Sequence, residues 1–296
     1  AYEIYQCDWS SDVCSSDLAV LLAVFATLAF VKSQESSLLA KELSTLRKSA
    51  AEARDHVAEL EAELEKQHAA AAGGKDHTPH WGYEGDVGPA HWGDNFPTCG
   101  SGTQQSPVDI KGPFEKAAQE IVLNYRPVTL RLLNNGHTIQ VNAQGAGSMS
   151  VGGVSYELLQ FHFHRPSEET VNGKHSAMVV HFVHKSADGK LAVIGLLLNE
   201  GSDNAVLKTI WSKAPPKEGP EAVFEAATIS PAALLPKSLN FYSYSGSLTT
   251  PPCTEGVTFF ILRAPGQISR EQVEAFPFKL NARPVQPLNG RKILAN

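Results

Sequence analysis

Hydrophobic and polar positions divide the chain into three patterns. From Leu18 to Val31 the residues are almost all apolar, and Lys32 closes the run. A full membrane span needs about 20 such residues, so this shorter run reads as a membrane-targeting segment, either a signal-peptide core or an anchor. From Ser33 to His68 the period changes. Leu39, Leu43, Leu46, Ala50, Ala53, Val57, Leu60 and Leu64 follow alternating spacings of four and three, which is a heptad repeat. This predicts a long helix over 33–68. Its charges, Glu42 with Arg47 and His56 with Glu61, suit parallel self-association through a coiled coil. Residues 69–76 form a small-residue linker. From 77 to 296, runs rich in Val, Phe and Thr alternate with Gly, Pro and Asn turn signals, so this region is predicted to be mainly β.

Within that last region one pattern carries chemistry. Gln160-Phe161-His162-Phe163-His164 reads as a strand, and its two histidines share a face because strand side chains alternate. Asn172-Gly173 is a turn signal, and Val179-Val180-His181-Phe182-Val183 reads as a second strand. A hairpin would place His181 beside the first pair. Three neutral imidazoles around one point suit a catalytic zinc, with its fourth position open. A lone strand histidine is ordinarily a hydrogen-bonded structural residue. Spacing alone leaves both readings open.

Composition narrows the field. The net charge of −6 argues against nucleic acid as a partner. Of the four cysteines, Cys99 and Cys253 lie in loop sequences far apart. They fit either a long-range disulfide of an exported protein or two unrelated thiols. Residues 1–17 are acidic and lack Lys and Arg, unlike a signal-peptide start. They resemble translated sequencing-adapter sequence and read as a non-native leader, so Cys7 and Cys14 carry no weight.

Motifs spread over the last region then agree with one another. In order they are His80-Trp81-Gly82-Tyr83, Gly88-Pro89-Ala90-His91-Trp92, Gln105-Ser106-Pro107-Val108-Asp109-Ile110, Asn134-Asn135-Gly136-His137, the 160–164 strand, Pro166-Ser167-Glu168, and Gly246-Ser247-Leu248-Thr249-Thr250-Pro251-Pro252. Together they resemble an α-class carbonic anhydrase of the bacterial, exported kind. The resemblance implies a mainly β (α+β) fold, with a central, largely antiparallel twisted sheet of about ten strands and small peripheral helices. It implies zinc held by His162, His164 and His181. Thr249 would accept a hydrogen bond from the attacking hydroxide and pass its own proton to Glu168, and His137 would shuttle protons. Val183, Leu191, Val193, Leu248 and Val257 would wall the CO2 pocket, with Thr250 beside them. Tyr83 and Gln140 would line the cleft, Gln160 would support His162, and Cys99 and Cys253 would be bridged. The expected substrates are CO2 and bicarbonate. The expected location is periplasmic or extracellular, anchored through the N-terminal segment or secreted after its cleavage.

Three positions depart from the family pattern. Val179 stands where a Glu usually supports the third zinc histidine. Glu169 stands where a His usually follows Pro-Ser-Glu. The two changes suggest a swap, in which Glu169 supplies the carboxylate that Val179 lacks. Phe259 replaces a Trp that usually lines the cleft. Two other readings compete: a metal-free binding module of the same fold, and a zinc-dependent ester hydrolase. Retention of all three histidines, Glu168 and Thr249 speaks against the first. A small apolar pocket speaks against the second.

Overall fold

Leu191–Glu200 is apolar at nearly every position, which suits a strand covered on both faces rather than one. In the computed structural model it lies inside the large sheet. That model describes residues 79–296 throughout, together with 20, 22–34, 37, 40–45 and 48–49. The chain divides into two units, Ala1–Thr78 and Pro79–Asn296. In the first unit the described residues are helical, and their side chains are exposed. No helix among the described residues is long and apolar enough to cross a membrane. Of the heptad positions only Leu43 is described. The leader, the rest of the coiled-coil seam and the linker lie outside the described residues.

The second unit is built on a 13-stranded sheet. Its principal strands, in chain order, are β1 (Val128–Asn134), β2 (Ile139–Asn142), β3 (Val154–His164), β4 (Met178–Ser186), β5 (Leu191–Glu200), β6 (Ala222–Ile229), β7 (Phe241–Ser247) and β8 (Glu255–Leu262). They lie in the order β6-β1-β2-β3-β4-β5-β8-β7. Leu294–Ala295 and Glu115–Lys116 complete a path of ten strands. Most neighbours are antiparallel, but β5 and β8 are parallel, so the sheet is mixed. The helices are short and peripheral; Asn204, for example, caps Ala205–Trp211 by accepting from Val206 N and Leu207 N at 3.1 Å each.

Strand alternation sorts side chains into two cores. Phe161, Phe163, Val180, Phe182, Ile194 and Leu196 enter the larger one. Val179, Val193, Leu197, Val257, Phe259 and Ile261 enter a second, on the opposite face. The Asn172-Gly173 turn does not join β3 to β4 directly. It closes a smaller hairpin, Thr170–Val171 with Lys174–His175, within a separate three-stranded sheet that includes Asp109–Ile110. Both turn residues have positive φ, 50° and 75°, as a tight hairpin turn requires. The excursion from β3 to β4 carries Glu168 and Glu169.

Candidate metal and catalytic site

Register brings the three histidines together. β3 and β4 pair so that His162 lies directly opposite His181, and Gln140 on β2 lies directly opposite His162. His164 follows on the same face of β3. One ring nitrogen from each histidine falls within 4.8 Å of the others. Gly195 lies opposite His181 on β5, where a Cβ would come within 2.5 Å of Ile261 Cδ1, so the row closes over a residue without a side chain.

Each ring has its other nitrogen occupied, by three different acceptors. His162 Nδ1 donates to Gln160 Oε1 at 2.8 Å. His164 Nδ1 donates to the Asn281 carbonyl at 2.7 Å. His181 Nε2 donates to Glu169 Oε2 at 3.2 Å. The remaining nitrogens, His162 Nε2, His164 Nε2 and His181 Nδ1, are therefore the ones free to act as ligands. Among the described residues, four buried side-chain polar atoms make no hydrogen bond: His164 Nε2, Glu168 Oε2, Glu169 Oε1 and Tyr244 Oη. All four belong to this neighbourhood. A buried lone pair without a donor costs about 1–3 kcal/mol, and a cation bound among the rings would relieve the one on His164 Nε2. The donor set of three imidazoles fits zinc.

Electrostatics point the same way. Burial, and next the His181 charge, push the His162 pKa down to about 3. Burial first, then His162 and His181, hold His164 well below the usual imidazole value. Both rings are thus neutral near pH 7, as metal ligands must be. At His181 burial lowers the pKa, but the charge and hydrogen bond of Glu169, with Glu168 behind, outweigh it and raise the value. Surroundings that favour a proton there equally favour a metal cation on Nδ1.

Glu168 is fully buried. Its Oε2 lies 3.5 Å from His164 Nε2 and 3.7 Å from His181 Nδ1. Its Oε1 accepts from the Arg283 amide at 2.9 Å. Burial pushes its pKa up to about 7; His181, the Arg283 amide and the Thr249 hydroxyl pull against that rise, while Glu169 adds to it. Thr249 is buried, in the loop that follows β7. That loop is pinned by the Leu248 amide to the Thr254 carbonyl at 2.9 Å and by the Cys99–Cys253 disulfide.

The Arg283 guanidinium ties the same region together, donating to Gln105 Oε1, Ser106 O and Cys99 O at 2.8, 2.9 and 3.0 Å. The disulfide closes a loop across a separation of 154 residues. Reducing it, or replacing both cysteines with Ser, is expected to remove roughly 2–5 kcal/mol of stability. Thermal unfolding with and without reductant measures this, and an unchanged melting temperature would contradict it.

His137 stands at the mouth. Its ring stacks on Trp81, with centroids 3.7 Å apart and 9° between planes. A cleft of about 140 Å³ runs from there to the His162 and His164 rings, lined by Tyr83, His137, Gln140, Gln160 and Thr250 among others. Burial lowers the His137 pKa, Glu218 opposes that effect and His80 adds to it.

The apolar wall follows from register too. Gln160, Val183, Val193, Phe259 and Tyr244 form one cross-strand row, beside the row of His162 and His181. Leu191 pairs with Val257 one step further. All five predicted wall residues belong to the second core or pack against it. Phe259 lies edge-on to His181, with ring centroids 5.9 Å apart.

Two contributors escaped the sequence reading. Asn281, fully buried, anchors His164 through its carbonyl and also donates to the His137 and Phe163 carbonyls at 3.0 and 2.9 Å. Arg283 holds Glu168. Both lie in an irregular segment without periodicity, and a backbone carbonyl or amide leaves no signature in residue type.

Known proteins place this fold. The family model described as eukaryotic-type carbonic anhydrase matches residues 87–296. A carbonic anhydrase of Pectobacterium carotovorum is 42% identical over 221 residues, covering 73% of this chain and 90% of its own length. One from Nostoc sp. is 42% identical over 227 residues, covering 73% of this chain and 86% of its own length. A solved α-carbonic anhydrase from Thermovibrio ammonificans, in complex with the inhibitor sulfanilamide, is 44% identical with a TM-score of 0.68; the match covers 73% of this chain and 98% of that one. The chain belongs to the carbonic anhydrase family and is an enzyme of that class.

Proposed function

We propose that this enzyme catalyses the reversible hydration of CO2 to bicarbonate and a proton, at a zinc ion held by His162 Nε2, His164 Nε2 and His181 Nδ1. The observation that carries the reading is the set of three convergent ring nitrogens whose partner nitrogens are each spoken for. Bound zinc supplies a nucleophilic hydroxide at neutral pH by acidifying its water.

The chain's own residues aim that chemistry. Glu168, ionised beside a cation, can only accept, so the Thr249 hydroxyl donates to it. The Thr249 oxygen is then left as an acceptor. The attacking group must donate to Thr249, which turns its lone pair toward the substrate. Val183, Leu191, Val193, Leu248 and Val257 hold apolar CO2 against the metal, where water competes poorly. His137, joined to the metal by the cleft, takes the released proton and passes it to buffer. A stopped-flow hydration assay with and without a chelator tests the reading as a whole.

Glu169 is assigned here the role of supporting carboxylate for His181. It is fully buried and reaches Nε2 from the excursion between β3 and β4, while Val179, also fully buried, joins the second core. Glu169→Gln removes the charge and keeps the shape. It is expected to weaken zinc binding by roughly 10–100-fold. Competition with a chromophoric chelator measures this, and an unchanged affinity would sink the swap.

A further inference from the structure

The turn that presents His137 is fixed from several sides. The Asn135 Oδ1 accepts from the His137 and Thr138 amides at 3.0 and 2.9 Å, and Asn281 holds the His137 carbonyl. Asn134, buried, works outward. Its Oδ1 accepts from the Gly136 amide at 3.1 Å, and its Nδ2 donates to the Pro215 carbonyl at 2.9 Å. Its own carbonyl accepts from the Gly219 amide at 3.2 Å. One side chain and its backbone thus clamp the 215–219 loop onto the 134–137 turn.

The clamp fixes the backbone on either side of Glu218, whose carboxylate lies beside Gly136. A Cβ built at Gly136, whose φ is +82°, would lie 2.8 Å from Glu218 Oε2 and 3.0 Å from its Cδ. Gly136 suits that positive φ, and the Glu218 carboxylate lies against it, one residue from His137. We propose that Glu218 is a positioning residue for proton transfer: lying beside the turn that bears His137, it stabilises the protonated ring and so sets the pH range in which that ring hands its proton to solution.

This inference rests on the reading of His137 as the proton relay. Other groups around the ring are consistent with it. Trp81 stacks on one face and cannot titrate in this range. Tyr83 stands edge-on at 6.5 Å and stays a neutral phenol, since burial and then Glu168 raise its pKa. His80 and burial both disfavour a charged His137, and Glu218 is the group that opposes them. Glu218 is solvent-exposed, so its effect is modest and screened by salt.

The test uses the full-length, zinc-loaded enzyme. The His137 ring is followed by NMR through a pH titration, with His137→Ala identifying the resonance. Removing a nearby negative charge lowers an imidazole pKa. Glu218→Gln is expected to lower it by a few tenths of a pH unit, and Glu218→Lys by about twice that, with both differences fading near 1 M salt. In dilute buffer kcat should change by up to about twofold, while kcat/KM, which precedes proton export, should hold. A His137 titration unmoved in both variants overturns the role of Glu218, even where His137→Ala slows turnover in dilute buffer. If His137→Ala leaves that turnover unchanged, the relay itself fails, and the proposal falls with it whatever the titration shows.

Discussion

Withdrawing zinc with a chelator is expected to abolish CO2 hydration, and adding it back to restore the rate. No protein group in the cleft can take over the attack. His162 and His164 are weak bases because burial penalises their protonation, and His181, whose basicity Glu169 raises, is tied through its other nitrogen to that carboxylate. Glu168 is already bound by the Arg283 amide and is fully buried. The same logic makes His164→Ala severe, since it deletes one of three ligands and leaves the Asn281 carbonyl without its donor. That variant is expected to fold, to copurify with little zinc and to stay inactive at stoichiometric metal. Metal analysis alongside stopped-flow hydration decides the matter. Full activity in protein shown to be metal-free would refute the proposed function.

Thr249→Val is expected to lower kcat/KM by roughly 10²-fold while zinc content stays normal. Valine has the same shape, so the buried loop after β7 keeps its packing and its disulfide anchor. What is lost, on the proposed mechanism, is a single acceptor whose direction Glu168 enforces. A reacting group left to rotate, or displaced by about 1 Å, loses rate of that order. Because Thr249 acts through the same carboxyl, Glu168→Gln should damage catalysis by a related route, and the two losses should combine to less than their product. An additive pair, or a Thr249→Val enzyme with wild-type kcat/KM, would separate the two residues and undo the shared role.

Much of the site was legible in residue types. His162 and His164 share a face because strands alternate, and that follows from two letters of spacing. The third member of the cluster was legible as a histidine in a second apolar strand. Its exact cross-strand partner was not, because register depends on which face of β4 meets the core. Pairing His181 with His162 puts Val180 and Phe182 into one core and Val179 into the other; a slip by one residue would exchange them. The turn at Asn172-Gly173 was legible as a turn but not as part of a separate small sheet, since the signal is local and the pairing with Asp109–Ile110 is not.

The sequence by itself determined the three clustered histidines, the apolar strands that carry them and the membership of the family, because each depends on residue identity at short spacing. Only the tertiary structure decided which nitrogen of each ring is left free to bind a metal. That choice belongs to the partner on the other nitrogen: a side-chain amide for His162, a backbone carbonyl from residue 281 for His164 and the Glu169 carboxylate for His181. Two of those partners come from outside the histidine's own strand. Hydrogen bonds of that kind are fixed by where loops land once both cores are packed, and no spacing rule along the chain encodes them.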